Sequence, residues 1–249
     1  MNKDSIGKLI GIVSALAVAA CSAAENAASE AAAAADRGVV ETRNFDLADF
    51  TGVGVSGIDK VEIRKGAAFS VIAKGYTADL DDLDIRVERD SLSVGRKKKS
   101  GGWSGMRKAV TVTVTMPQLS SVAVGGSGSI NADTLEGDEA SASVGGSGSI
   151  NVGSLAAKTV NLSIGGSGNI AADGGKADTA SINIGGSGSI KAPNLVLKDA
   201  AISIAGSGSV SAQATGNATI SMMGSGDVTL TGGAKCTTNR MGSGSVKCS

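Results

Sequence analysis

From residue 122 to the end of the chain, apolar and polar side chains alternate in short runs that recur at a fixed interval. Before a repeated Gly-Ser-Gly the apolar members are Val122/Val124, Leu162/Ile164, Ile182/Ile184, Ile202/Ile204 and Ile220/Met222. After it the alternation resumes with Ile130/Ala132, Ile150/Val152, Ile170/Ala172, Ile190/Ala192, Val210/Ala212 and Val228/Leu230. The positions between are mostly Ser, Asn, Thr, Asp and Lys. Alternation with a period of two predicts strands with one buried and one wet face. The Gly-Ser-Gly triplets begin at Gly126, Gly146, Gly166, Gly186, Gly206, Gly224 and Gly242, so the first four intervals are 20 residues and the last two are 18. One such unit cannot bury its own apolar side. Stacked about 4.8 Å apart, successive units turn each row into a continuous inner ladder. The pattern predicts an all-β fold, a solenoid (parallel β-helix) with coils of ~20 residues.

Gly-Ser-Gly falls between two strands, at a corner, where glycine supplies positive φ without a Cβ clash. Ser127, Ser147, Ser167, Ser187, Ser207, Ser225 and Ser243 should therefore form a column whose hydroxyls can bond backbone or one another. A third, more variable side runs through segments such as Leu135–Glu139, Leu155–Lys158 and Leu195–Lys198. A core this narrow explains a composition with 41% hydrophobic but only 2% aromatic residues. Strict phase and β-branched residues distinguish the region from a flexible Gly/Ser linker.

Residues 39–121 lack the triplet but are also strand-like, and are read as irregular early coils of the same solenoid; 122–249 are the regular ones. Alternating stretches lie at Gly52–Val55, Val61–Ile63, Ser70–Ala73, Ile85–Val94 and Ala109–Met116.

The N-terminus reads as an export signal over residues 1–20. Lys3 and Lys8 precede an apolar run, Leu9–Ala20, too short to span a bilayer as a helix. It ends in Val18-Ala19-Ala20-Cys21, which resembles a bacterial lipobox, with Cys21 as the lipid attachment site and membrane anchor; the alternative is an ordinary signal peptide with an incidental Cys. Ser22, rather than Asp, follows; by resemblance to enterobacterial sorting this favours the outer membrane. Residues 21–38, Ala-rich and without an apolar stripe, are read as a tether.

Cys236 and Cys248 lie in the last coil, at the inward phases of Ala218 and Leu230. A disulfide there would close a side that the chain is too short to build, and export permits it; the alternative is two buried thiols. Their separation suits neither a zinc pair nor a redox Cys-x-x-Cys. Arg240 takes the place of the inward Met222 and Ile204, as a polar cap would.

The order Phe50-Thr51-Gly52-Val53, Val61-Glu62-Ile63-Arg64-Lys65-Gly66, Leu92-Ser93-Val94, Val112-Thr113-Val114-Thr115-Met116-Pro117 and Leu119, followed by Gly-Ser-Gly coils, resembles the head GIN domain. That family is associated with autotransporter-adhesin heads of the bacterial cell envelope. The resemblance covers about residues 39–249 and implies a single-stranded, right-handed β-helix. It brings no established activity.

Other chemistry fares poorly. Calcium-binding nonapeptides need an acidic ligand where this chain has Ile130, Ile150, Ile170 and Ile190. The group Asp79, Asp81, Asp82 and Asp84 reads as a solvated turn rather than a cation site. Polysaccharide-cleaving β-helices need clustered carboxylates and basic residues on one face, and usually aromatic platforms; here there is no histidine and one Trp. We expect no catalytic residues, metal or cofactor. Arg96, Lys97, Lys98, Lys99, Arg107 and Lys108 surround Trp103 and are candidate contacts to an anionic lipid surface, with a solvated loop as the alternative. Lys and Arg total 23 and Asp and Glu 23, a balance that argues against nucleic acid. The expected function is a non-catalytic structural or adhesive surface lipoprotein with an unidentified envelope ligand. The alternatives are a periplasm-facing scaffold or binding protein and, more remotely, a polysaccharide-active enzyme.

Overall fold

The computed structural model describes residues 38–97 and 107–249. Eighteen strands among these residues join in one continuous sheet that winds around a single core. The regular coils are built from β8 (Ser121–Gly126), β9 (Ser129–Gly146), β10 (Ser149–Gly166), β11 (Asn169–Ala172), β12 (Gly175–Gly186), β13 (Ser189–Gly206), β14 (Ser209–Ala214), β15 (Asn217–Gly224), β16 (Asp227–Thr231), β17 (Lys235–Met241) and β18 (Ser245–Cys248). All pairings between them are parallel; residue i faces residue i+20 in the earlier coils, as in Ile150↔Ile130 and Leu162↔Ala142, and i+18 in the later ones, as in Ile202↔Ile220. The chain is a β-solenoid of stacked coils of about 20 residues.

Each coil has three sides. The entry face precedes Gly-Ser-Gly, the exit face follows it, and a third face carries Leu135, Leu155 and Leu195. Every inward residue named from the alternation is buried, and together they form one unbroken core. Where the period drops from 20 to 18 residues, the register slips between Ala192 and Val196, past the exit face. The entry face keeps an unshifted register through β17.

Both glycines of the triplet are required, for different reasons. Gly146 has φ +146°, and a Cβ there would sit 2.6 Å from the Gly126 carbonyl. That carbonyl accepts the Ser147 N–H at 2.9 Å, so coil-to-coil hydrogen bonding itself brings the backbones together. At Gly148, a buried position, a Cβ would meet the Gly128 carbonyl and Val124 Cγ1, both at 2.5 Å. The glycine before the triplet is different: a Cβ on Gly145 meets nothing within 4 Å. Later coils accordingly carry Ala205, Met223 and Met241 there. The serine side chains between are exposed; their backbone N–H groups make the ladder.

The first coils are not stacked in chain order. β2 (Gly52–Gly57) and β3 (Lys60–Lys65) form one coil, and β6 (Ser91–Arg96) and β7 (Thr111–Met116) another. β2 lies between β6 and β8, and β3 between β7 and β9, so the chain builds the second coil first. Outside this pair the strands turn antiparallel: β4 (Ser70–Tyr76) on β7, β1 (Val40–Phe45) on β4, and β5 (Leu83–Glu88) on β6. The stretch Ile85–Val94, expected as one strand, is therefore a hairpin turned at Arg89, whose φ is +56°. Arg-Asp lacks the glycine or asparagine that advertises such a turn, and so the reversal was hidden. A helical turn, α1 (Thr77–Asp81), links β4 to β5 and passes over the end of the stack, with Leu80 in the core.

At the other end the inward positions turn polar: Thr238 lies opposite Ile220 and Arg240 opposite Met222. Arg240 donates to the Gly244 carbonyl at 2.6 Å. Cys236 pairs with Ala218 and Cys248 with Leu230 in the register, and the two are joined as a disulfide with Cα atoms 6.7 Å apart.

Candidate functional site

Among the described residues, three places on this solenoid carry organised chemistry, one of them buried. The first is the corner column at its N-terminal end. In the coil formed by β2 and β3 the corner is Gly57-Ile58-Asp59, and Asp59 occupies the phase of Gly128. Its carboxylate is fully buried and accepts the Val110 N–H at 2.8 Å and Arg96 Nε at 2.8 Å, with a second, closer contact from Arg96 Nη2. Arg96 also donates to the backbone carbonyls of Asp79 at 2.7 Å and Lys108 at 3.0 Å. Asp79, likewise buried, accepts the Lys108 N–H at 3.2 Å, while its Oδ2 has no hydrogen-bond partner among the described residues. Two carboxylates and a guanidinium thus pin together both ends of the segment that leaves β6 and returns to β7.

This arrangement corrects two readings. Arg96 is not a surface contact: its side chain is 8% exposed and is consumed by Asp59 and Asp79. The Asp79–Asp84 group is a solvated turn only in part: Asp81 is exposed and Asp84 half-exposed, whereas Asp79 is buried and Asp82 nearly so, and each carboxylate faces an arginine. Asp81 takes Arg43 at 3.0 Å, Asp82 takes Arg107 at 3.5 Å, and Asp84 takes Arg86. Lys97 Nζ donates to the Asp81 carbonyl at 2.7 Å, and Lys108 Nζ stands 5.9 Å from the centre of the Tyr76 ring. The structure therefore brings Lys97, Arg107 and Lys108 together at the base of the basic segment. Lys98, Lys99 and Trp103 lie outside the described residues, as does Cys21. Among the described residues no group of three or more His, Cys, Asp or Glu side chains is arranged to hold a metal ion.

The second place is the third face, where charges alternate from coil to coil. In register order Asp138, Lys158, Asp178 and Lys198 form one rail. Lys158 Nζ lies 2.8 Å from Asp138 and holds that carboxyl below its ordinary value, chiefly through their hydrogen bond. One rail over, Asp199 accepts the Asn217 N–H at 2.8 Å and its side-chain amide at 3.1 Å, and is lowered by these bonds. Sliding the stack by one coil would oppose like charges, so the rail specifies register.

The third place is the entry face. Its outward side chains over β8, β9, β10, β12, β13, β15 and β17 are Ser121/Ala123, Ser141/Ser143, Asn161/Ser163, Ser181/Asn183, Ala201/Ser203, Thr219/Ser221 and Thr237/Asn239. None is charged. The edge strand β5 borders this face with Asp84, Arg86 and Glu88, and a shallow depression between it and β2 is lined by Gly54, Glu88, Arg89, Ser91 and Ser93. Sequence reading located the alternation but missed this segregation of charge. The signal was present, in two outward positions that hold only Ser, Ala, Asn and Thr on one side of every regular coil.

A family model described as "putative auto-transporter adhesin, head GIN domain" matches residues 49–234, from the corner-capping coils to the penultimate rung. The chain belongs to this family. Three solved structures share its fold. One is titled a putative lipid binding protein from Parabacteroides distasonis, with TM-score 0.70, 24% identity, and 85% of this chain and 97% of that one covered. A second, titled a putative adhesin from Bacteroides fragilis, has TM-score 0.73 and 19% identity over 84% and 97%. The third, from Parabacteroides merdae, is titled in the same way and has TM-score 0.66 and 21% identity over 85% and 97%. No curated protein matches the chain. None of these descriptions names an enzyme, and the GIN-domain family points to a cell-envelope or surface location.

Proposed function

We propose that this GIN-domain protein is an outer-membrane lipoprotein, anchored through Cys21 and held off the bilayer by residues 22–38, whose solenoid serves as a non-catalytic adhesive or structural module. The family match over the solenoid supports the adhesive part of this reading, and the anchor rests on the lipobox-like Val18-Ala19-Ala20-Cys21 alone. Catalysis finds no support in the pairing of the clustered carboxylates, since Asp59, Asp79, Asp81, Asp82 and Asp84 each serve an arginine. A general acid or base needs a carboxyl free to exchange its proton with substrate.

Replacing Cys21 by Ser tests the anchor. The variant is expected to leave the membrane fraction and to lack the lipid mass on its mature N-terminus. Unchanged fractionation and unchanged mass would refute the anchor.

A second reading, a periplasm-facing binding protein, draws on the neighbour titled a lipid binding protein and on the basic segment. Here Lys97, Lys98, Lys99, Arg107 and Lys108, with Trp103, would meet anionic headgroups, while Arg96 holds the base of the segment from within. Replacing Lys97, Lys98 and Lys99 by Ala should abolish sedimentation with phosphatidylglycerol vesicles and leave phosphatidylcholine unaffected. Equal sedimentation of both forms would dismiss the contact.

A further inference from the structure

Met223 and Met241 are 63% and 66% exposed, on adjacent rungs of the uncharged entry face. They end a column that otherwise reads Gly125, Gly145, Gly165, Gly185 and Ala205. Along that column a side chain has open space: a Cβ would meet nothing within 4 Å at Gly145 and Gly165, and only a carbonyl at 3.9 Å at Gly125 and Gly185. The face thus has two apolar knobs at one end and a bare trough at the other, in one straight line.

We propose that the entry face is a homodimer interface in which two copies pack face to face with their solenoids antiparallel. A two-fold axis along the strand direction at Gly185 sets Met241 of each copy over Gly125 of the other, and Met223 over Gly145. An isologous contact demands this self-complementarity, in which residue i meets j and j meets i. The seven strands from β8 to β17, about 4.8 Å apart and five residues deep, offer roughly 600 Å² per copy. Two such faces reach the lower end of the area that stable interfaces bury, about 1,200 Å² in total. The column of Glu139, Asp199 and Lys235 stays at the leading edge of the overlap, where Glu139 accepts the Asn161 amide at 2.8 Å, and the Ser, Asn and Thr ladders inside it retain partners across it. The charged β5 falls beyond the overlap and blocks further extension. The proposal is independent of the adhesive reading and can fail without it.

Sedimentation velocity of the full chain, with benzoylphenylalanine in place of Met241 for photo-cross-linking, tests it. The expected result is a dimer in the micromolar range whose cross-links map to residues near Gly125 in another copy. Gly145→Glu, placed in open space, should weaken dimerisation at least ten-fold and keep the wild-type melting curve. Ser149→Glu on the exit face should leave the dimer intact. Should Gly145→Glu disturb folding, Ser163→Glu on the same face replaces it, with the same expectation. A monomer at all concentrations, a dimer indifferent to these variants, or cross-links confined to β17 and β18 edges would overturn the proposal. So would a monomer that retains a neutral polysaccharide until Gly145→Glu abolishes retention, because that face would then serve glycan.

Discussion

A single methyl group separates two kinds of glycine in this chain. Gly148→Ala should cost roughly 1–3 kcal/mol, since its Cβ would be driven into a carbonyl and Val124, neither of which can retreat in a stacked coil. Gly145→Ala, three residues away, should be neutral or stabilise by about 0.5 kcal/mol by restricting the unfolded chain. Urea denaturation of both variants checks this; equal losses would mean that the corner tolerates relaxation. The distinction was only half legible in the sequence. Glycine at every corner was plain, but which glycine touches the next coil depends on where its Cβ points. The replacements Ala205, Met223 and Met241 were the one clue. Charge acts at the same scale. Asp199 is lowered from the ordinary 3.8 by Asn217, so its bonds stabilise the fold fully above that value and are lost as pH falls through the lower folded one. Asp199→Ala should therefore melt below wild type at pH 7, and the two curves should converge in strong acid. A gap that persists or widens in acid would contradict the assignment.

The elements divide between those that period announced and those that packing decided. The strands of the regular coils follow from alternation alone, because each buries a β-branched row that only a neighbouring coil can cover. β1 was missed because Val40-Glu41-Thr42-Arg43-Asn44-Phe45 is an edge strand with polar residues on both sides. The intercalation of β2–β3 between later strands was also illegible, since pairing order leaves no trace in alternation. What holds the crossover is the Asp59–Arg96 pair at the corner of these coils. Asp59→Ala strands a buried guanidinium and should destabilise by about 3–5 kcal/mol. The double variant Asp59→Ala/Arg96→Met should lose much less than the two single losses combined. Additive losses in thermal or urea unfolding would show that the pair is not coupled.

Across the whole molecule, stability in a solenoid is summed between neighbouring coils, and the ends are its weak points. The N-terminal end is covered by α1 and antiparallel strands; the C-terminal end relies on Arg240 and the Cys236–Cys248 disulfide. Closing that span contributes about 2–3 kcal/mol by loop entropy. With both cysteines replaced by Ser, hydrogen exchange should accelerate over β16–β18 while β9–β13 keep their protection; uniform protection would deny the disulfide a stabilising role. The cysteines were legible in advance because their phase in the repeat placed them on inward rows. The uncharged face was not, because its meaning lies in a comparison between faces that only the register supplies. The central claim, that this solenoid is an adhesive module displayed at the cell surface, is tested most directly by treating intact cells with protease and probing for residues 39–249. Degradation of the protein, with a periplasmic marker left untouched, is the predicted result. Full protection until the outer membrane is permeabilised would contradict the claim and place the module on the periplasmic side.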